Sequence, residues 1–205
     1  TILQKENQWS KRNHEAFTEF YAMARGEFIA LCEGDDYWIC KEKLQKQVEV
    51  LDVDPTVALV FHNAWVKHEK SQCDYFMNSR IDKPRFTLDD ILKRNWFIAT
   101  ASMVYRKYNP LPSEITQYSM VGDMLIQIAA CMQGDAFYLD IVGSVYRRHP
   151  NGVSNELWKM EDYHYEKFRP NNIWMYWLLR ERLLPASSHL SIELRIRDLV
   201  SCILR

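Results

Sequence analysis

A short apolar run that ends in three carboxylates within four positions constrains this chain more than any other feature. In Phe28-Ile-Ala-Leu-Cys-Glu-Gly-Asp-Asp-Tyr-Trp38 the acids Glu33, Asp35 and Asp36 follow the run at once, with Gly34 among them. Like charges at that density repel and resist desolvation unless a cation sits among them. A strand that delivers such a cluster to its C-terminal end reads as a site, not as core. Mg²⁺ and its relatives use one or two carboxylates plus phosphate oxygens. The cluster therefore predicts a divalent metal holding a phosphorylated ligand. A solvated acidic turn is the competing role, and Tyr37-Trp38 directly after the acids argues against it.

The rest of the composition narrows the field. At 205 residues and 47% hydrophobic, the chain can fill one large domain, or one domain with an appendage. A net charge of -1 supplies no basic field for nucleic acid, so an anionic ligand has to be gripped locally. Gly-Asp-Asp also marks the palm of RNA-dependent polymerases, where it turns between two strands. Here residues 41–51 that follow are helical in period, and no nucleic-acid groove is indicated. The five cysteines, Cys32, Cys40, Cys73, Cys131 and Cys202, are odd in number and lack a CxxC pair. That pattern fits a reducing, cytosolic compartment, with Cys32 and Cys131 as small buried hydrophobes. No uninterrupted apolar run is long enough to span a bilayer.

Helical and strand patterns alternate along the chain. Ala16, Phe17, Phe20, Tyr21 and Ala24 fall at helical spacing, with Gly26 as the stop. Residues 28–32 read as a buried strand. Leu44, Val48 and Leu51 define a helix face ended by Asp54-Pro55. Residues 57–66 are strand-like, 75–80 less so. Thr87-Leu-Asp-Asp90 is a capping-box pattern opening a short helix to about residue 94. Residues 97–105 read as a strand. Asp123 leads into a helix through Leu125, Ile128, Ala129 and Met132, stopped by Gly134. Short strands are expected at 136–139 and 143–147. Beyond them Leu157, Met160, His164 and Phe168 share a helical face, as do Ile173, Trp174, Trp177 and Leu178 after Pro170. Residues 190–196 fit strand or helix, with helix favoured.

The string Ala24-Arg-Gly-Glu-Phe-Ile-Ala-Leu-Cys-Glu-Gly-Asp-Asp-Tyr-Trp38, followed by Lys43-Leu-Gln-Lys-Gln47, resembles the inverting family 2 glycosyltransferases of the GT-A fold. It is closest in character to bacterial members that build cell-surface polysaccharides. The resemblance covers about residues 7–154. It implies a mixed α/β nucleotide-diphospho-sugar transferase fold over 1–154, followed by a helical appendage over 155–205. It also implies a nucleoside-diphosphate sugar donor, a glycan or lipid-linked hydroxyl acceptor, and Mg²⁺ or Mn²⁺. Glu33-Gly34-Asp35 stands where the family has Asp-x-Asp, so Asp35 and Asp36 are implied metal ligands and Glu33 a donor-side acid. Glu33 replaces the commoner Asp.

The resemblance assigns the remaining site residues too. Gly122-Asp123 matches the acidic pair that opens a late helix, which makes Asp123 the base that takes the acceptor proton. Gly122 stands where an acid is often found. Capping the helix is the other role open to Asp123. In Tyr146-Arg-Arg-His-Pro-Asn-Gly-Val-Ser154, His149 matches a histidine that reaches the metal or diphosphate, and Arg147 a phosphate contact. Asn13, in Asn7-x-Trp9-x-x-Arg12-Asn13, matches a donor-seating residue, although Trp9 replaces the usual Gly. Ala99-Thr-Ala-Ser102 resembles a loop lining the sugar pocket, but small residues in a strand are equally explained by packing. His62 reads as structural.

The family begins with a nucleoside-binding strand and loop, which the resemblance places before Thr1. A truncated and inactive fragment is therefore the expectation, with a noncatalytic carbohydrate- or nucleotide-sugar-binding fragment of the same fold as the alternative. The C-terminal stretch carries Trp158, Trp174 and Trp177 with Arg180, Arg182, Arg195, Arg197 and Arg205. A helical cover or a homo-oligomer contact is the simpler role for it. Peripheral contact with the inner face of the membrane is the other.

Overall fold

The structure is a computed structural model and describes residues 5, 21–69, 73–94, 96–109, 111–119, 122–150, 152 and 169–203. In chain order the strands are β1 (Phe28–Ala30), β2 (Tyr37–Trp38), β3 (Val57–His68), β4 (Tyr75–Phe76), β5 (Arg85–Phe86), β6 (Val104–Arg106) and β7 (Asp135–Arg148). The helices are α1 (Lys43–Val53), α2 (Leu88–Lys93), α3 (Ser113–Thr116), α4 (Gly122–Cys131), α5 (Arg169–Arg182) and α6 (His189–Ile203). The architecture is a mixed α/β fold, a curled sheet flanked by helices.

The sheet runs in the order β1-β6-β3-β7-β2, with β4 added to β3 and β5 to β7. β3 and β7 pair in parallel, whereas β6 is antiparallel to both β1 and β3, and β2 is antiparallel to β7. It follows that β1, β3 and β7 point the same way, and that β6 begins at the edge where they end. The residues after β1, before β6 and after β7 therefore share one rim. β1 and β2 lie four strand spacings apart, about 19 Å in a flat sheet. The chain joining Ala30 to Tyr37 reaches about 25 Å only when fully extended. It is not extended, because the Asp36 amide donates to the Glu33 carbonyl at 3.1 Å in a turn. Only a curled sheet lets the acidic segment bridge from one end strand to the other.

Side chains alternate across β3. Leu59 and Phe61 join the larger core cluster with Phe86, Met103, Tyr105 and Ile128, and Val60 joins Leu51 and Val104 on the other face. The 3₁₀ turn Thr100–Ser102 and β6 occupy the stretch expected to be one strand, since its small residues turn at the rim. The two strands expected at 136–139 and 143–147 are one strand, bent by register shifts opposite His62 and Asn63. β1 is shorter than expected and half-buried, and Cys32 beyond it is exposed, whereas Cys131 is buried as expected. β4 is confined to two residues of the stretch 75–80. The Thr87–Asp90 capping box forms at α2 as the pattern requires.

α1 departs from its apolar pattern in an informative way. Its buried residues are Lys43, Gln47 and Leu51, while Leu44 is exposed. Polar side chains face inward there, for reasons that become clear at the site. The expected helix over 157–168 lies outside the described residues. α5 forms, but with Asn172, Met175, Tyr176 and Leu179 inward and Trp174 and Trp177 outward, one helical step from the expected face. α6 is helical, and Ile192 joins Met175, Tyr176 and Leu179 in the larger core cluster. Among the described residues no helix is long and apolar enough to cross a membrane.

His62 and Gly143 lock the β3–β7 junction. A Cβ at Gly143 would meet the His62 Nε2 at 2.5 Å. Gly143→Ala is expected to cost about 1–3 kcal/mol of stability, checked by urea unfolding. His62 is 1% exposed, and burial holds its pKa down to about 4, against the Asn63 carbonyl that favours the charged form. Between that value and the ordinary one near 6.5, the unfolded chain binds the extra proton. His62 therefore supports the fold fully above about pH 6.5, and that support is lost as pH falls toward about 4. Unfolding free energy measured across this window is expected to slope less in His62→Leu.

Candidate active site

The rim shared by β1, β6 and β7 gathers most of the sequence-nominated residues. In open α/β sheets, ligands bind outside the carboxyl ends of the strands, and Glu33, Asp35 and Asp36 lie there after β1. β7 delivers Arg147 and His149 to the same place. The Arg147 amide donates to Asp36 Oδ1 at 2.9 Å, and His149 Nε2 lies 3.0 Å from Asp35 Oδ2. Two backbone segments 111 and 114 residues apart in sequence are thus joined by the acids themselves.

Asp36 is buried, and its Oδ2 has no hydrogen-bond partner. Desolvation raises its pKa to about 6, with the Arg147 amide opposing and the Asp35 charge adding to the rise. Glu33 is raised to about 7, first by desolvation and then by the charges of Asp36, Asp123 and Asp35. Water reaches Glu33, but protein surrounds enough of it for those neighbours to act strongly. The corner carries more negative charge than its own surroundings neutralise. The Arg147 guanidinium is paired with Glu69 and so is already engaged.

Asp123 stands in the first turn of α4, close enough for its charge to act on Glu33. Its Oδ2 accepts from Trp96 Nε1 at 2.6 Å and its Oδ1 from the Met124 amide at 2.8 Å. The second bond satisfies one of the free amides of the first helical turn from a position inside the helix. Burial raises the Asp123 pKa despite these donors. The Thr100 side chain lies near enough to both Glu33 and Asp123 to favour the ionised form of each, although its single hydroxyl proton can be donated to only one of them at a time. Trp96 in turn packs against Tyr146 of β7, ring centres 5.4 Å apart. The acidic corner and the start of α4 are therefore neighbours with one hydroxyl between them.

Thr100, Trp96 and Trp38 are site residues that the sequence alone did not nominate. Thr100 was visible as one of four small residues, which packing explains as well as chemistry does. Trp96 gave no signal, because its partner is 27 residues away. Trp38 Nε1 donates to the Ala101 carbonyl at 3.0 Å and its ring lies under Lys43 Nζ at 4.4 Å. Lys43 is 1% exposed with no hydrogen-bond partner for Nζ, and burial lowers its pKa to about 8. Asn13 lies outside the described residues.

Whether a divalent cation fits can be judged from the donors. Among the described residues no three His, Cys, Asp or Glu side chains form a ready-made metal cage. The Asp36 oxygen without a donor and the neighbouring Asp35 and His149 offer the small, hard, partly imidazole set that Mg²⁺ or Mn²⁺ accepts when phosphate supplies the rest. These side chains do not hold a cation by themselves, so any cation here would need ligand oxygens to complete its coordination.

No family model matches the chain. It is 36% identical over 143 residues to an uncharacterized protein of Mycobacterium bovis, covering 68% of this chain. Uncharacterized proteins from two strains of Mycobacterium tuberculosis match to the same extent. The chain spans 40% of the length of these curated relatives.

Asp36→Asn keeps the acceptor for the Arg147 amide and removes a buried, poorly compensated charge. In metal-free buffer at neutral pH the variant is expected to gain roughly 1–2 kcal/mol of stability. Melting followed by circular dichroism reads the gain, and added Mn²⁺ is expected to raise the melting temperature of the parent chain only.

Proposed function

We propose that the chain carries the metal and acceptor side of an inverting family 2 glycosyltransferase of the GT-A type. The reaction moves a sugar from a nucleoside diphosphate to a hydroxyl of a glycan or lipid-linked acceptor, in the cytoplasm, for cell-surface polysaccharide. The observation that carries this reading is the meeting of an undercompensated acidic corner with a second, separately held carboxylate across a single threonine. A metal site alone needs no Asp123, and a helix cap alone needs no acidic corner facing it.

In this reading Asp35 and Asp36 would hold the cation, with His149 beside them. When bound, it would supply Lewis-acid stabilisation of negative charge on a diphosphate leaving group. Asp123 takes the proton of the acceptor hydroxyl as that oxygen attacks the anomeric carbon. Its raised pKa makes it a stronger base than a free aspartate. Trp96 holds one of its oxygens and so fixes the direction of the other. Glu33 lines the donor side, and Thr100 supplies a neutral hydroxyl beside two carboxylates that repel one another.

Two measurements test the reading. Mn²⁺ with a nucleoside diphosphate such as UDP or GDP is expected to broaden the indole N–H signals of Trp38 and Trp96 before those of Trp174 and Trp177. Uniform broadening, or none, removes the metal assignment. In a polypeptide that carries this chain and turns over a donor and acceptor, Asp123→Asn is expected to lower turnover by about 10²- to 10⁴-fold with donor binding unchanged. Turnover that persists in the variant removes Asp123 from the chemistry.

A further inference from the structure

Two carbonyls of the Thr100–Ser102 turn are held by side chains from outside it. The Ala99 carbonyl accepts from the Ser102 amide and hydroxyl, and the Thr100 carbonyl from the Met103 amide. The next two are taken by distant donors: Trp38 Nε1 reaches the Ala101 carbonyl at 3.0 Å and Gln47 Nε2 the Ser102 carbonyl at 2.8 Å. Gln47 also donates to the Val60 carbonyl at 2.9 Å, which ties the turn to the central strand β3. From the opposite side Gln127 of α4 donates to the Ile98 carbonyl at 3.5 Å.

Gln47 is completely buried, as are Ala101 and Ser102. A helix that only needed to cover the sheet would place an apolar residue at that position, because a buried amide is costly unless satisfied. Its Oε1 is in fact left without a partner. The position therefore keeps a donor at some cost, and what the donor secures is the turn that carries Thr100.

We propose that Gln47 is a positioning residue, which acts through the 98–102 segment to set the spacing between the acidic corner and Asp123. The proposal rests on the glycosyltransferase reading, in which those two groups are the halves of one active site. Gln47 touches neither half. Trp38, one turn of chain from the acids, is the second clamp on the same segment, so the acidic loop and α1 hold Thr100 together.

The chain carries seven tryptophans, and their indole N–H signals report the site without any turnover. Trp38 and Trp96 are assigned by Trp38→Phe and Trp96→Phe in a ¹⁵N-labelled chain. Gln47→Met keeps side-chain length and removes both donated bonds. The Trp96 proton is then expected to move upfield as its bond to Asp123 loosens, and the Trp38 proton to move with it. Trp174 and Trp177, exposed on α5, are expected to stay in place. A Gln47→Met chain that melts earlier but leaves the Trp96 signal unmoved shows simple core packing, and the proposal falls.

Removing both bonds leaves two buried carbonyls without donors and can cost the fold. Trp38→Phe removes one donor at a half-exposed position and serves as the second probe. The Trp96 signal must shift in the same sense there, and its failure to do so overturns the proposal equally. The functional reading fails on different evidence. Shifted indole signals with no selective Mn²⁺ broadening keep the clamp and discard the transferase, while selective broadening with unmoved signals does the reverse.

Discussion

The parallel pairing of β3 with β7 is the constraint on which the site depends. It sets the direction of β7, and so brings Arg147 and His149 to the edge where β1 ends and the acids begin. The antiparallel placement of β6 between β1 and β3 brings the Thr100–Ser102 turn to that edge as well. Three segments far apart in sequence meet because strand direction leaves them no other rim. The chemistry inherits its geometry from the sheet.

Charge is the second organising element, and it works against stability. Asp35 raises the cost of ionising both Glu33 and Asp36, and the Arg147 guanidinium is already engaged by Glu69. Elsewhere the same chain satisfies its charges in ordinary ways. Arg85 lies between Asp54 and Asp135, and Arg180 between Glu181 and Glu193. Arg182 lies beside Glu114, so two of the arginines that suggested a membrane surface have carboxylate partners. The contrast isolates the rim as the place where compensation is left incomplete.

Much of this was legible beforehand, and the gaps have physical causes. The acids were legible because a carboxylate cluster after an apolar run has few structural uses. The capping box at Thr87 was legible because its partners are three residues apart. The inward face of α1 was not, because apolar periodicity selects Leu44 and Val48 while the fold needs Lys43 and Gln47 inside. The outward tryptophans of α5 are illegible for the same reason: size and hydrophobicity favour burial, yet the core takes Met175 and Tyr176 instead. Trp96 and Thr100 were beyond reach because their roles exist only once α4 and β7 have been brought to them.

Gly34 adds one consequence. Nothing lies within 4 Å of where its side chain would begin, and its backbone does not require a glycine. The neighbouring scaffold would thus tolerate a methyl or larger group with little rearrangement, unlike Gly143, where the protein is solid. Gly34 is exposed, so a side chain added there would extend into solvent beside Glu33 and Asp35. The outer face of the acidic turn can thus be reshaped at one position while the framework beneath stays as it is.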